Sequence, residues 1–220
     1  TMLLCLCVAQ TTAFLWLIDK PTIRRAAIWT GLATAAVLTH YFAAVVVLGQ
    51  GLAYLWVHRG RALRTWPALA VAAPGVVWVA IHASRLAAFS EDGVAWHPQF
   101  GWFELARAIV FIFGSPSLVV SVGLAALAML AFALYKPDAA PRPEGRARGP
   151  ALAVAVSALT LAAFMVLAAT RQIFFPRYLF PYIPGLLLGA ALAATRFTGR
   201  FAALPAAVLV VGLAEAAQLP

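Results

Sequence analysis

Long apolar runs separated by short polar punctuation dominate this chain. A helix that crosses a hydrocarbon core needs about 20 apolar residues, and runs near that length recur at 2–18, 26–39, 41–57, 66–83, 117–135, 151–170, 179–195 and 201–218. The pattern predicts an all-α protein, a polytopic transmembrane bundle of about eight helices. The stretch 26–57 is too long for one span and short for two. As a single helix it would run about 48 Å, well beyond a core of about 30 Å. Lys20, Arg24 and Arg25 precede it, and Arg59, Arg61 and Arg64 follow it. Both clusters favour the cytoplasm, so the chain between them must cross twice.

Extending that parity predicts a full topology. Loops 19–25, 58–65, 136–150 and 196–200 fall on the cytoplasmic side and hold 12 of the 16 Lys and Arg. The N-terminus and the loops around 40, 84–116 and 171–178 fall on the outer side, with Arg85, Arg107, Arg171 and Arg177. The outer segment 84–116 is more than a loop. Ser90-Glu91-Asp92-Gly93 reads as a turn, and the apolar run 102–113 reads as a helix too short to span. Trp96, Phe100, Trp102 and Phe103 suit the headgroup layer, which predicts a helix lying along the outer interface with Glu104 and Arg107 paired at i, i+3. The connection 137–150 is Pro-rich and charged.

Composition sharpens this picture. Of 220 residues, 64% are hydrophobic and 10% charged, against about 25% charged in a soluble domain. A mean hydropathy of +0.93 excludes an ordinary soluble core. The net charge of +9 does not point to nucleic acid, because the basic residues lie in short clusters between apolar runs rather than on one face. Cys5 and Cys7 sit inside the first apolar run and read as buried thiols. There is no internal repeat, so residues 1–220 form a single transmembrane domain. The chain opens directly on apolar sequence without the basic region of a signal peptide and is expected to be a piece of a longer membrane protein.

No Gly-rich phosphate loop, zinc-ligand cluster or nucleophile elbow is present in the sequence, so neither a metal nor a cofactor is expected. Ionisable groups at membrane depth are costly, which makes each one a candidate for function. Thr39-His40-Tyr41-Phe42 forms the tip of a short hairpin, and the His40–Tyr41 pair is placed to line a recessed pocket. Arg171-Gln172-Ile173-Phe174-Phe175-Pro176-Arg177-Tyr178 puts two arginines on the side where positive charge is disfavoured. A guanidinium at a helix end there is suited to a lipid phosphate, with Tyr178 lining the same pocket; plain snorkelling to headgroups is the competing role. Glu91, Asp92 and His97 form a third group, with Glu91 and Asp92 as weak candidates for a catalytic base.

Two of these segments resemble a known family. The run Gly31-Leu32-Ala33-Thr34-Ala35-Ala36-Val37-Leu38-Thr39-His40-Tyr41-Phe42-Ala43 is similar to part of the bacterial dolichyl-phosphate-mannose protein mannosyltransferase-like glycosyltransferases. So is Phe175-Pro176-Arg177-Tyr178-Leu179-Phe180-Pro181-Tyr182-Ile183-Pro184. The resemblance implies the GT-C membrane fold and transfer of a sugar from a polyprenyl-phosphate carrier to an acceptor on the outer side of the membrane. It also implies that the catalytic acid lies in a large external loop preceding the helices seen here, with no matching residue in this chain.

The expected function is therefore that of the C-terminal portion of a membrane glycosyltransferase of the bacterial inner membrane. Its partners would be a lipid-linked sugar donor, membrane lipids and an acceptor glycan, lipid or protein, with no nucleic acid. Arg177 and Arg171 would hold lipid phosphate. A flippase for lipid-linked sugars and a non-catalytic membrane subunit stand as alternatives. The flippase would call for mid-helix charges and paired broken helices, which the sequence lacks.

Overall fold

The computed structural model describes residues 2–91, 101–113, 148–171 and 174–194, and those residues are helical apart from short turns. Helix α1 (Met2–Asp19) and helix α2 (Ile23–Thr39) form the first hairpin. Thr22 caps α2, its hydroxyl accepting the Arg25 N–H at 3.3 Å. The Arg25 guanidinium reaches back to donate to the Trp16 carbonyl at 2.6 Å and pairs with Asp19 at 3.4 Å. The turn thus satisfies backbone groups that the end of α1 leaves open.

A second tight turn at His40–Phe42 leads into helix α3 (Ala43–His58). The chain then continues without an extended loop, as a 3-10 helix over Arg59–Ala72 followed by helix α4 (Ala73–Glu91). Three helical stretches among the described residues are long and apolar enough to cross a membrane: Met2–Asp19, Ala43–His82 and Gly149–Thr170. The second is not one straight rod. Gln50 accepts a hydrogen bond from Trp29, and a Cβ on Gly31 would meet Val71 at 3.4 Å. A straight helix would separate residues 50 and 71 by about 32 Å, so the chain doubles back between them. It does so at Arg59, whose φ of 47° is the one positive non-Gly value among the described residues; Gly60 follows.

Several boundaries differ from the sequence expectation: the expected spans 66–83 and 179–195 each begin in a 3-10 segment, and two loops are helical. The stretch 58–65 is helical rather than a loop, because Thr65 folds its hydroxyl onto the Ala62 carbonyl at 2.7 Å and is held by the Tyr54 hydroxyl at 2.9 Å. At the other end, α4 runs to Glu91, so 84–91 belongs to a helix and Glu91 is no part of an open turn. Leu86, Ala87 and Ala88 are strong helix formers that carry it on. The predicted spans 117–135 and 201–218, the connection 137–147, loop 196–200 and residues Asp92 and His97 lie outside the described residues.

Helix α5 (Trp102–Phe113) covers 12 residues, about 18 Å of rise, and packs on the 3-10 segment Pro176–Tyr182. Helix α6 (Arg148–Arg171) and helix α7 (Ile183–Ala194) are the remaining helices among the described residues. They meet where a Cβ on Gly185 would collide with Ser157 and one on Gly189 would press on Val154, the small-residue packing that lets membrane helices approach closely.

The core of the bundle is apolar, with Phe14, Leu17 and Phe164 fully buried, and much of its exterior is apolar as well, unlike that of a soluble domain. Leu48, Leu52, Trp56, Trp66, Leu69, Val76 and Leu159 are exposed, Trp56 at 72%. Gln10, Gln50, Thr11, Thr30 and Ser157 are buried. Gln10 donates its amide N–H to the Gln50 carboxamide oxygen, and the Trp29 indole donates to the same oxygen at 3.0 Å. In water this arrangement would leave a large apolar surface unsatisfied; in lipid it costs nothing and places the hydrogen bonds between helices.

Candidate functional site

The two ends of the bundle are chemically different. At one end the His58 ring meets the Ile18 carbonyl at 3.1 Å, and Ile18 and Leu15 are the neighbours a Cβ on Gly149 would meet. That end carries Lys20, Arg24, Arg25, Arg59 and Arg61. The opposite end collects the His40 turn, the far end of α6, α5 and the segment Pro176–Tyr182 around one aromatic cluster.

The His40 turn is built entirely by local hydrogen bonds. His40 ends α2 in an extended conformation, and its N–H donates to the Ala36 carbonyl at 2.9 Å. Its carbonyl accepts the Ala43 N–H at 2.9 Å. Its ring nitrogen Nδ1 accepts the Phe42 N–H at 3.4 Å. These bonds fix the ring against the segment Pro176–Tyr182, edge-on to Tyr178 with centroids 5.0 Å apart. Phe42 lies 4.2 Å from Tyr178 and 5.4 Å from Phe164, ring to ring. Phe164 in turn stacks on Tyr182 at 5.8 Å.

Arg177 sits at the edge of this cluster. Phe175 is extended and Pro176 opens the 3-10 turn, so Arg177 projects next to the rings on both sides. Its guanidinium carbon is 5.1 Å from the Phe175 ring centroid and 6.0 Å from that of Tyr178. The residue is exposed, while Tyr178 is buried. Burial, together with the nearby Arg177 charge, holds the His40 imidazole below its ordinary value of 6.5. Burial pushes the Tyr178 phenol up, and Arg177 opposes that shift. Two buried polar atoms here have no hydrogen-bond partner among the described residues: His40 Nε2 and the Tyr182 hydroxyl.

The structure thus brings together three of the residues singled out in the sequence, His40, Tyr178 and Arg177. Tyr41 is exposed at the tip of the turn and makes no ring contact among the described residues. Arg171 is the last residue of α6, and its side chain lies outside the described residues, as does that of Glu91. Phe42 and Tyr182, which the sequence motifs contain without a role of their own, and Phe164, which they do not contain, are further members of the cluster. Within α5, Leu105 and Ala108 face the cluster, Arg107 lies 4.7 Å over the Phe103 ring and 3.5 Å from Glu104, and Trp102 and Phe103 are exposed.

Elsewhere, two apolar grooves of about 370 and 450 Å³ run between α2, α3 and the Arg59–Ala80 limb and share Trp29, Thr30, Val47 and Leu69. Their exposed walls are almost wholly hydrocarbon, which suits lipid chains. Among the described residues no cluster of His, Cys, Asp or Glu is arranged to hold a metal ion.

No protein-family model, curated protein or solved structure matches this chain. Among the described residues the fold is all-α, with three helices long and apolar enough to cross a membrane and many large apolar side chains exposed, the features of a multi-pass membrane protein.

Proposed function

We propose that this chain is the carrier-binding part of a polytopic, GT-C-like membrane glycosyltransferase that takes a sugar from a polyprenyl-phosphate carrier on the outer side of a bacterial inner membrane. Its eight spans would alternate so that the basic loops face the cytoplasm and the His40–Arg177 end faces outward, with α5 lying along the outer interface. The reading rests on one observation above the others. An exposed guanidinium stands at the end of the bundle away from the basic loops, flanked by the Phe175 and Tyr178 rings.

Such a placement suits the phosphate of an amphiphile. Arg offers a planar fork that matches phosphate oxygens, and the adjoining rings give an isoprenoid stem an apolar surface. As the sugar leaves, charge builds on the phosphate, and a cation fixed beside it lowers the barrier. The acceptor's base lies beyond the groups assembled here, which hold and orient the carrier only.

Binding of a polyprenyl monophosphate to the chain in nanodiscs tests this reading. A charge-assisted hydrogen bond contributes about 1.5–3 kcal/mol, so Arg177→Ala is expected to weaken binding by about 10- to 150-fold. Arg177→Lys is expected to recover only part of the loss, because snorkelling needs a charge whereas phosphate recognition needs the fork. Unchanged affinity in Arg177→Ala, or full recovery with Lys, would assign Arg177 to headgroup snorkelling instead.

A further inference from the structure

Three of the four hydrogen-bonding atoms of His40 are spent on the turn itself. Its N–H goes to Ala36, its carbonyl to Ala43 and its Nδ1 to the Phe42 N–H. A backbone N–H can only donate, so Nδ1 must be the acceptor and the neutral ring carries its proton on Nε2. The turn therefore sets the tautomer. The resulting Nε2–H is buried and has no partner among the described residues.

A buried donor without a partner is uncommon in native proteins and calls for an explanation. This one belongs to a ring held edge-on to Tyr178 at 5.0 Å. Arg177 lies against the same tyrosine, 6.0 Å from its centroid. His40 and Arg177 thus both lie against Tyr178, whose phenol is already within reach of the guanidinium, and both groups only donate. The group that satisfies the two together is an acceptor with several oxygens and negative charge.

We propose that His40 Nε2–H is the second donor of the anion site, bonding a phosphate oxygen of the same lipid carrier that Arg177 pairs with. This assignment rests on the phosphate reading of Arg177 and adds to it a donor whose direction is set by the backbone. Arg177 supplies charge from an exposed position; His40 supplies a buried, uncharged contact that fixes where the phosphate sits. The low proton affinity of the ring agrees with this division, since burial and Arg177 both disfavour the imidazolium.

Two amides separate the role of Nε2 from that of Nδ1. The Asn carboxamide reaches the position of Nδ1, so His40→Asn keeps an acceptor for the Phe42 N–H and loses the outer donor. The longer Gln carboxamide reaches the position of Nε2 and restores an N–H there. Affinity for a polyprenyl monophosphate would be measured on the full chain in phosphatidylcholine nanodiscs, with the matching polyprenol and inorganic phosphate as controls and thermal stability recorded for each variant.

The expected result is a loss of about 10-fold or more in His40→Asn, a far smaller loss in His40→Gln, and no effect of either change on polyprenol binding. Inorganic phosphate competing only weakly would show that the anion must arrive on a lipid. Wild-type affinity in His40→Asn while Arg177→Ala binds poorly would overturn the role of His40 and leave the phosphate reading standing. Equal losses in Asn and Gln with intact folding would overturn it as well. Unchanged binding in Arg177→Ala would remove the phosphate reading, and the His40 assignment with it.

Discussion

The buried polar residues of this bundle hold one another in place. Gln50 accepts from Gln10 and Trp29 at once, deep between α1, α2 and α3. Removing that acceptor strands two donors in hydrocarbon. Interhelical hydrogen bonds in membranes average about 0.6 kcal/mol, whereas an unsatisfied buried group costs about 1–3 kcal/mol. Gln50→Leu is therefore expected to destabilise the protein by about 1–3 kcal/mol, and Trp29→Phe, which removes one donor and strands nothing, by less. Unfolding titrations in mixed micelles would read the difference; a Trp29→Phe cost exceeding that of Gln50→Leu would contradict this ordering. His40 makes a second prediction. Its folded proton affinity lies below the ordinary value of 6.5, so the unfolded chain binds the proton more readily. The stabilisation is complete above that value and is lost as pH falls through it. The melting temperature should drop more between about pH 7.5 and pH 5.5 for the wild type than for His40→Gln; equal slopes would contradict the environment described for the ring. His40, Arg177 and Tyr178 were legible in the sequence because a polar group inside apolar sequence stands out. Phe164 was not, and Phe42 and Tyr182 carried no role within their motifs, since an aromatic residue in an apolar run looks the same whether it meets lipid or a site.

At the scale of elements, the hairpin at His40 and the limits of α1, α2, α3, α5 and α6 follow closely from apolar length and from the charges between runs. The stretch after His58 did not. Arg59, Gly60, Arg61 and Arg64 read as a loop by polarity, yet the backbone stays helical because Thr65 and Tyr54 tie the turn from inside. Periodicity also hid the break between the segment Pro176–Tyr182 and α7: the run is apolar throughout, and only Pro176, Pro181 and Pro184 mark that its first turns are not α-helical. The α6–α7 contact carries its own prediction. Gly185 lies directly on Ser157, with no room for a side chain. Gly185→Leu is expected to cost about 1–3 kcal/mol or more through overpacking, and Ser157→Gly in the same chain to recover part of it. Stability unaffected by Gly185→Leu would mean that these helices are not packed as described.

For the whole molecule, the proposed function depends on two ends of different chemistry. One end gathers Ile18, His58 and Gly149 beside the basic turns; the other gathers the aromatic cluster, His40 and Arg177. The central claim is that these ends lie in different compartments, because only then does the His40–Arg177 end meet a carrier on the outer side. Single cysteines at Tyr41 and Arg61, both exposed, in a chain with Cys5 and Cys7 replaced by Ala, test it directly. With a membrane-impermeant maleimide on intact cells, Tyr41→Cys should label and Arg61→Cys should stay silent until the inner face is opened. Labelling of both positions from the same side would contradict the topology, and the site assignment would fall with it.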